Sequence, residues 1–168
     1  RKDLRNTLTF TIDPDDAKDF DDALSFKKLK NNNVEIGIHI ADVTHYLEKN
    51  TLLDKEAKKR ATSVYLSDRV VPMLPEILSN DLCSLNPNED KNVFSVLVEI
   101  DNNFNIISKE FSKFLINSNE GISYQDAQYV IENKNGKLAA DVTSTKKKRS
   151  LSKERVEAIL YLNTAALR

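Results

Sequence analysis

Between Asp13 and Asp22 the chain sets six carboxylates in ten residues, Asp13-Pro-Asp-Asp-Ala-Lys-Asp-Phe-Asp-Asp22. Like charges about 4 Å apart repel by roughly 4 kcal/mol at an effective dielectric near 20. A fold that converges them must protonate some or bind cations. Most charge runs are solvated surface loops, but three features set this one apart. It lies between two apolar segments, it contains the apolar Phe20, and it runs straight into the next strand, which would bring several carboxylates to one end of a sheet. The segment therefore reads as a cation site. With carboxylates and no His/Cys cluster, the ion expected is a hard one, Mg²⁺ or Mn²⁺. Two such ions can activate a water and stabilise the leaving oxygen of an in-line displacement, so the chemistry indicated is metal-assisted phosphodiester hydrolysis. Other acidic motifs fit less well. A calcium loop starting at Asp13 would need Gly and Glu where Lys18 and Leu24 stand. Asp15-Asp16-Ala-Lys-Asp19 has the spacing of a prenyl-diphosphate synthase box, but Pro14 and strands flank it rather than a helix. Asp19-Phe-Asp21 has a phosphatase-like spacing, but no apolar strand leads into it.

The elements that must position this segment follow from periodicity and turn residues. Thr7–Ile12 alternates polar and apolar as a strand ending at Asp13-Pro14. Ala23–Phe26 and Val34–Ile40 read as two more strands joined through Asn31-Asn32-Asn33. Asp54–Tyr65 has the pattern of an amphipathic helix, with Ala57, Ala61 and Val64 on one stripe. Pro72, Pro75 and Pro87 bracket an irregular stretch with a short helical turn near Glu76–Asp81. Val93–Ile100 and Ile106–Ile116 read as a strand pair across Asp101-Asn-Asn103. Ser123 is the expected N-cap of a helix to about Glu132, and a last helix occupies Leu151–Arg168. Asn133–Arg149 is lysine-rich and expected to be a mobile surface loop. The fold class expected is α/β (α+β), a mixed but mainly antiparallel sheet flanked by helices.

A chain of 168 residues suffices for one domain with a core of its own, and two would be crowded. With 40% hydrophobic and 30% charged residues the composition is that of a soluble globular protein. Apolar runs are too short for a membrane-spanning helix, no secretion leader is visible, and the single cysteine, Cys83, cannot form an internal disulfide. A cytoplasmic location is expected. Residues 1–133 carry 16 Lys+Arg against 23 Asp+Glu, and residues 134–168 carry 9 against 3. A polyanion-binding protein usually shows a basic excess. If this one handles nucleic acid, the attraction must be local, come from metal ions, or come from elsewhere in a longer chain. Because it opens on Arg1 and closes inside a helical pattern, the sequence is expected to be part of a longer protein.

Thr11-Ile-Asp-Pro-Asp-Asp-Ala-Lys-Asp-Phe-Asp-Asp-Ala-Leu24 resembles the signature of the ribonuclease II / ribonuclease R (RNB) exoribonuclease family. The resemblance continues through Ile38–Val43, Leu53–Ala57, Arg60–Leu66, Val71–Pro75, Leu78–Asn86 and Ile122–Ala127, in the family's order and spacing. The pattern is closer to ribonuclease R than to ribonuclease II. It implies that residues 1–168 form the N-terminal part of an RNB catalytic domain. The activity implied is a processive, hydrolytic 3′→5′ exoribonuclease releasing nucleoside 5′-monophosphates, with single-stranded RNA 3′ ends as substrate. The family's metal ligands fall on Asp13, Asp19, Asp21 and Asp22, with Asp21 and Asp22 as the catalytic pair and Asp21 the more critical. Its aromatic clamp on the 3′-terminal nucleotide falls on Tyr65. The cofactor implied is Mg²⁺, with Mn²⁺ as a substitute. Flanking cold-shock and S1 domains are expected in the full chain, and the fragment alone is expected to be inactive.

Other residues have plainer readings. His39 lies in a β-like run, where a structural hydrogen bond is the simpler role. His45 is a surface residue, Asp42 either a turn or cap residue, the favoured reading, or a partner supporting the metal ligands, and Cys83 a small buried hydrophobe. Lys146-Lys-Lys-Arg149 is a solvated run that could touch phosphate. The rival functions are a non-catalytic RNA-binding or scaffolding paralogue of the same fold, and an acidic calcium-binding module.

Overall fold

A computed structural model describes residues 1–134 and 150–168. The order is β1 (Lys2–Asp3), β2 (Leu8–Asp13), β3 (Asp22–Lys28), β4 (Val34–Ala41), α1 (Leu52–Arg60), β5 (Val64–Tyr65), β6 (Val70–Val71), β7 (Asp90–Ile100), β8 (Ile106–Asn117), β9 (Glu120–Ser123), α2 (Tyr124–Asn133) and α3 (Lys153–Ala166). Among the described residues the main sheet has seven strands in the order β1-β8-β7-β4-β3-β2-β9. Its centre is antiparallel, and the two outer pairings, β1 with β8 and β9 with β2, are parallel. The expected fold class is borne out.

The pleat divides the apolar residues between two cores. On one face Phe10, Phe26, Ile36 and Ile100 pack with Val130 of α2 and Ala158 and Ile159 of α3. On the other, Ala23, Ala41, Val93, Leu97 and Phe114 pack with Ala57 of α1 and with Leu74, Leu78, Cys83 and Leu85. Thr9, Phe10 and Thr11 are consecutive and all buried, as expected of a strand covered on both sides. Hairpin turns use the asparagines the sequence offers. Asn32 adopts a left-handed φ of 65°, and Asn31 Oδ1 accepts from the Asn33 N–H at 3.1 Å. Ser123 and Ser152 cap α2 and α3 through Asp126 and Arg155 N–H groups.

Three expectations are corrected. The helix expected over Asp54–Tyr65 runs from Leu52 to Arg60, with Thr51 as its cap. Ala61 turns left-handed at φ 63°, and β-branched Val64 pairs with Val71 instead, leaving Val64 exposed rather than in a core stripe. α3 stops at Ala166, so Leu167 lies outside it and is exposed. Strands β1, β5, β6 and β9 were not foreseen. The expected loop over Asn133–Arg149, with its Lys146–Arg149 run, falls almost wholly outside the described residues; only Asn133, the end of α2, and Lys134 are described. Among the described residues no helix is long and apolar enough to cross a membrane.

Candidate active site

β2 ends at Asp13 and its antiparallel neighbour β3 begins at Asp22, so the Pro14–Asp21 loop hangs from one end of the sheet. The Ala17 N–H donates to the Pro14 carbonyl at 3.1 Å, making the first bend. The loop then returns to the fold through two backbone bonds. The Leu85 N–H donates to the Phe20 carbonyl at 2.8 Å, and the Ala41 N–H donates to the Asp21 carbonyl at 3.0 Å. Phe20 is half-buried against the Ala41–Leu85 core, which explains an apolar residue inside an acidic run.

Asp13, Asp19, Asp21 and Asp22 come close enough to sense one another. Burial chiefly, then the charges of Asp22 and Asp19, pushes the Asp13 carboxyl above the usual carboxylate range. Thr11 works the other way, although its buried hydroxyl has no hydrogen-bond partner among the described residues. Asp21 is raised by burial first and then by Asp19, Asp22 and Asp13. These contrast with Asp3, Asp54, Asp90, Glu99 and Asp101, each held low chiefly by a hydrogen-bonding partner. None of the four site aspartates makes an ion pair among the described residues. Asp13 Oδ2 is buried and has no hydrogen-bond partner. An orphaned carboxylate oxygen beside uncompensated like charges is what a cation would relieve.

That donor set fits a hard divalent ion, being all oxygen and all anionic. Among the described residues no three His, Cys, Asp or Glu side chains already stand close enough together to hold a metal. Mutual repulsion between uncompensated carboxylates acts against such convergence. Beside Asp13 opens a cleft of about 500 Å³, lined by Phe20, Pro87, Gly121 and Ser123 among others.

Tyr65 reaches the same place from a separate element. The β5–β6 hairpin is tied down by Arg60, whose Nη1 donates to the Pro72 carbonyl at 3.0 Å, and by Ser63 Oγ, which accepts the Met73 N–H at 2.9 Å. The Tyr65 hydroxyl donates to Asp19 Oδ2 at 3.3 Å while its ring stays 68% exposed. The charge of Asp19 is the main cause of an upward-shifted phenol. An open aromatic face thus stands next to the acidic loop.

The remaining residues stay outside the site. His39 is buried with Nδ1 2.8 Å from Ser95 Oγ, a structural bond as expected. Asp42 occupies the N-cap position of a short turn, but its side chain bonds Thr44, Arg1 and Lys113 rather than capping backbone. Cys83 is buried, and burial pushes its thiol up, so it is inert. The contacts that fasten the loop from Ser84 and Leu85 were not foreseen. Their only sequence signal is the Leu78–Asn86 motif, which indicates membership but no role.

A profile of the RNB domain matches residues 1–166. The chain belongs to the RNB family. Ribonuclease R 1 of Lactococcus lactis subsp. lactis is 50% identical over 131 residues, 78% of this chain and 16% of that protein. RNase R of Mycoplasma genitalium, solved in complex with double-stranded RNA, superposes with a TM-score of 0.78 at 32% identity, covering 99% of this chain and 28% of that one. Yeast Ssd1, a pseudonuclease, superposes with a TM-score of 0.69 at 23% identity over 88% of this chain and 17% of its own, a likeness of fold alone. The resemblance to ribonuclease R is therefore borne out, and this RNB chain spans a small part of the relatives it matches.

Proposed function

We propose that the protein carrying this RNB chain is a 3′→5′ exoribonuclease that hydrolyses single-stranded RNA processively to nucleoside 5′-monophosphates. Mg²⁺, or Mn²⁺ in its place, would be held by Asp13, Asp19, Asp21 and Asp22. The observation that carries this reading is that these aspartates lie at one sheet end, near enough to disfavour charge on Asp13 and Asp21, with no ion pair among the described residues and Asp13 Oδ2 buried without a hydrogen-bond partner. The relatives named Ribonuclease R and the RNA-bound RNase R structure support RNA as the substrate.

Bound there, a divalent cation supplies a more acidic water and neutralises charge building on the phosphate and leaving oxygen. The chain's own residues do the rest. Asp21, critical in this reading, and Asp22 sit where the loop rejoins the sheet, Asp22 as the first residue of β3 and Asp21 with its carbonyl bonded to the Ala41 N–H. Tyr65 offers its exposed ring to the terminal base, and its hydroxyl bond to Asp19 sets that ring beside the acidic loop. Stacking is sequence-tolerant because every base has a π-face, which suits an enzyme that shortens RNA step by step. A cytoplasmic location and flanking cold-shock and S1 domains belong to the same reading.

The test is digestion of 3′- and 5′-labelled RNA by the full-length natural protein, with Mg²⁺ or with EDTA. The expected result is release of 5′-mononucleotides from the 3′ end, abolished by EDTA and by Asp21→Asn, with RNA binding retained by the variant. RNA binding without cleavage by the unaltered protein would instead identify a non-catalytic paralogue.

A further inference from the structure

Asp13, Asp19, Asp21 and Asp22 have no cationic partner among the described residues. Repulsion among them acts to splay the acidic loop. What opposes that is bonding to the loop's backbone. Among the described residues, one side chain provides it to residues 18–21. Ser84 is fully buried at 0% exposure, and its Oγ accepts the Phe20 N–H at 3.0 Å. The same hydroxyl faces the Lys18 carbonyl at 3.1 Å, with Asn86 Oδ1 as a second acceptor at 3.2 Å. It therefore fastens the residues on either side of Asp19, and through Phe20 the residue before Asp21.

We propose that Ser84 is a positioning residue of this site, clamping the backbone that carries Asp19 and Asp21 so that their carboxylates face a common cation. The inference rests on the exoribonuclease reading above. A hydroxyl suits the task better than a basic side chain. It donates and accepts at once, satisfying a backbone N–H and a carbonyl, and it brings no positive charge to compete with the metal. The bonds span 64 to 66 residues of sequence, so they tie the loop to the Leu78–Asn86 segment rather than to its own neighbours. The adjacent Leu85 N–H on the Phe20 carbonyl adds a second fastening that survives loss of the hydroxyl. Removing Ser84 Oγ should therefore loosen the loop without unfolding the core.

The experiment compares Ser84→Ala, Ser84→Cys and Asp21→Asn in the full-length natural protein. For Ser84→Ala the expected outcome is a fall in kcat of roughly 10–100-fold, the scale of an ångström-level misplacement. KM for RNA should be nearly unchanged, the half-saturating Mg²⁺ concentration several-fold higher, and amide exchange at residues 18–21 faster than in the unaltered protein. Ser84→Cys, a near-isostere with a weak donor, should fall between wild type and Ser84→Ala. Wild-type kcat and Mg²⁺ dependence in Ser84→Ala, with Asp21→Asn inactive, would overturn the role of Ser84 and leave the exoribonuclease reading standing. Full activity in Asp21→Asn would overturn that reading itself. If both Ser84 variants lost the cooperative thermal transition, Ser84 would be a determinant of the whole fold and the proposal would also fall.

Discussion

Asp13 and Asp21 favour their protonated forms more than ordinary carboxylates do. A carboxyl whose pKa rises on folding weakens the folded state at pH above its native pKa, and the penalty fades as the pH falls from there to the ordinary carboxylate value. Asp21→Asn should therefore raise the melting temperature at pH 7 while abolishing cleavage, and the gain should vanish in acid; thermal melts at several pH values check this. Saturating Mg²⁺ should stabilise the unaltered protein and leave Asp21→Asn less affected, by mass action on a site only the folded state offers. Tyr65→Ala should weaken binding of short RNA 3′ ends by about 1–3 kcal/mol, readable by fluorescence anisotropy, since its ring is exposed and bears no core packing. At this scale the acidic run was legible in residue type and spacing, while the choice of Asp13, Asp19, Asp21 and Asp22 within it came from the family resemblance. The fastening by Ser84 was not, since a serine between Cys83 and Leu85 carries no signal until the chain brings Phe20 beside it.

The strands β2, β3, β4, β7 and β8 were legible because alternation and asparagine turns survive folding unchanged. The end of α1 was not, because Ala61 continues a helical spacing while Thr62, Ser63 and Val64 favour extended backbone, and pairing of Val64 with Val71 decided the matter. β9 escaped notice because its four residues include Gly121 and make sense only beside β2. Within β4, Gly37 and His39 depend on each other. A Cβ at Gly37 would lie 2.2 Å from Ser25 Oγ and 2.5 Å from His39 Nε2, so Gly37→Ala should cost about 1–3 kcal/mol in denaturant unfolding. Burial takes the His39 pKa down to about 4 from 6.5. The unfolded chain then gains a proton before the folded one, so stability present above pH 6.5 is lost as the pH falls toward 4, by an amount on the order of 3 kcal/mol. His39→Gln should flatten that slope. Asp42 acts in a lower window. It is buried, which raises its pKa, but Thr44, Lys113 and Arg1 outweigh this and bring it to about 2. Its contribution is lost only as the pH falls from about 3.8 to about 2.

Across the whole molecule, both cores hang on strands that cross the sheet, and Phe10 sits at 0% exposure in the core shared with α2 and α3. Phe10→Ala should therefore destabilise the domain by about 3–5 kcal/mol in chemical denaturation. The two cores follow from composition and pattern, but the parallel docking of β9 on β2 is a long-range choice no local window encodes. It has a consequence for the order of events during synthesis. β3, β4, β7 and β8 follow one another as neighbours, so a growing polypeptide can zip them as each emerges from the ribosome. β2, which delivers Asp13, keeps a bare flank until residue 123 has been translated, since Asp13 aligns with Ser123. The end of the sheet that bears Asp13 therefore lacks its outer neighbour until β9 has emerged, after β3, β4, β7 and β8.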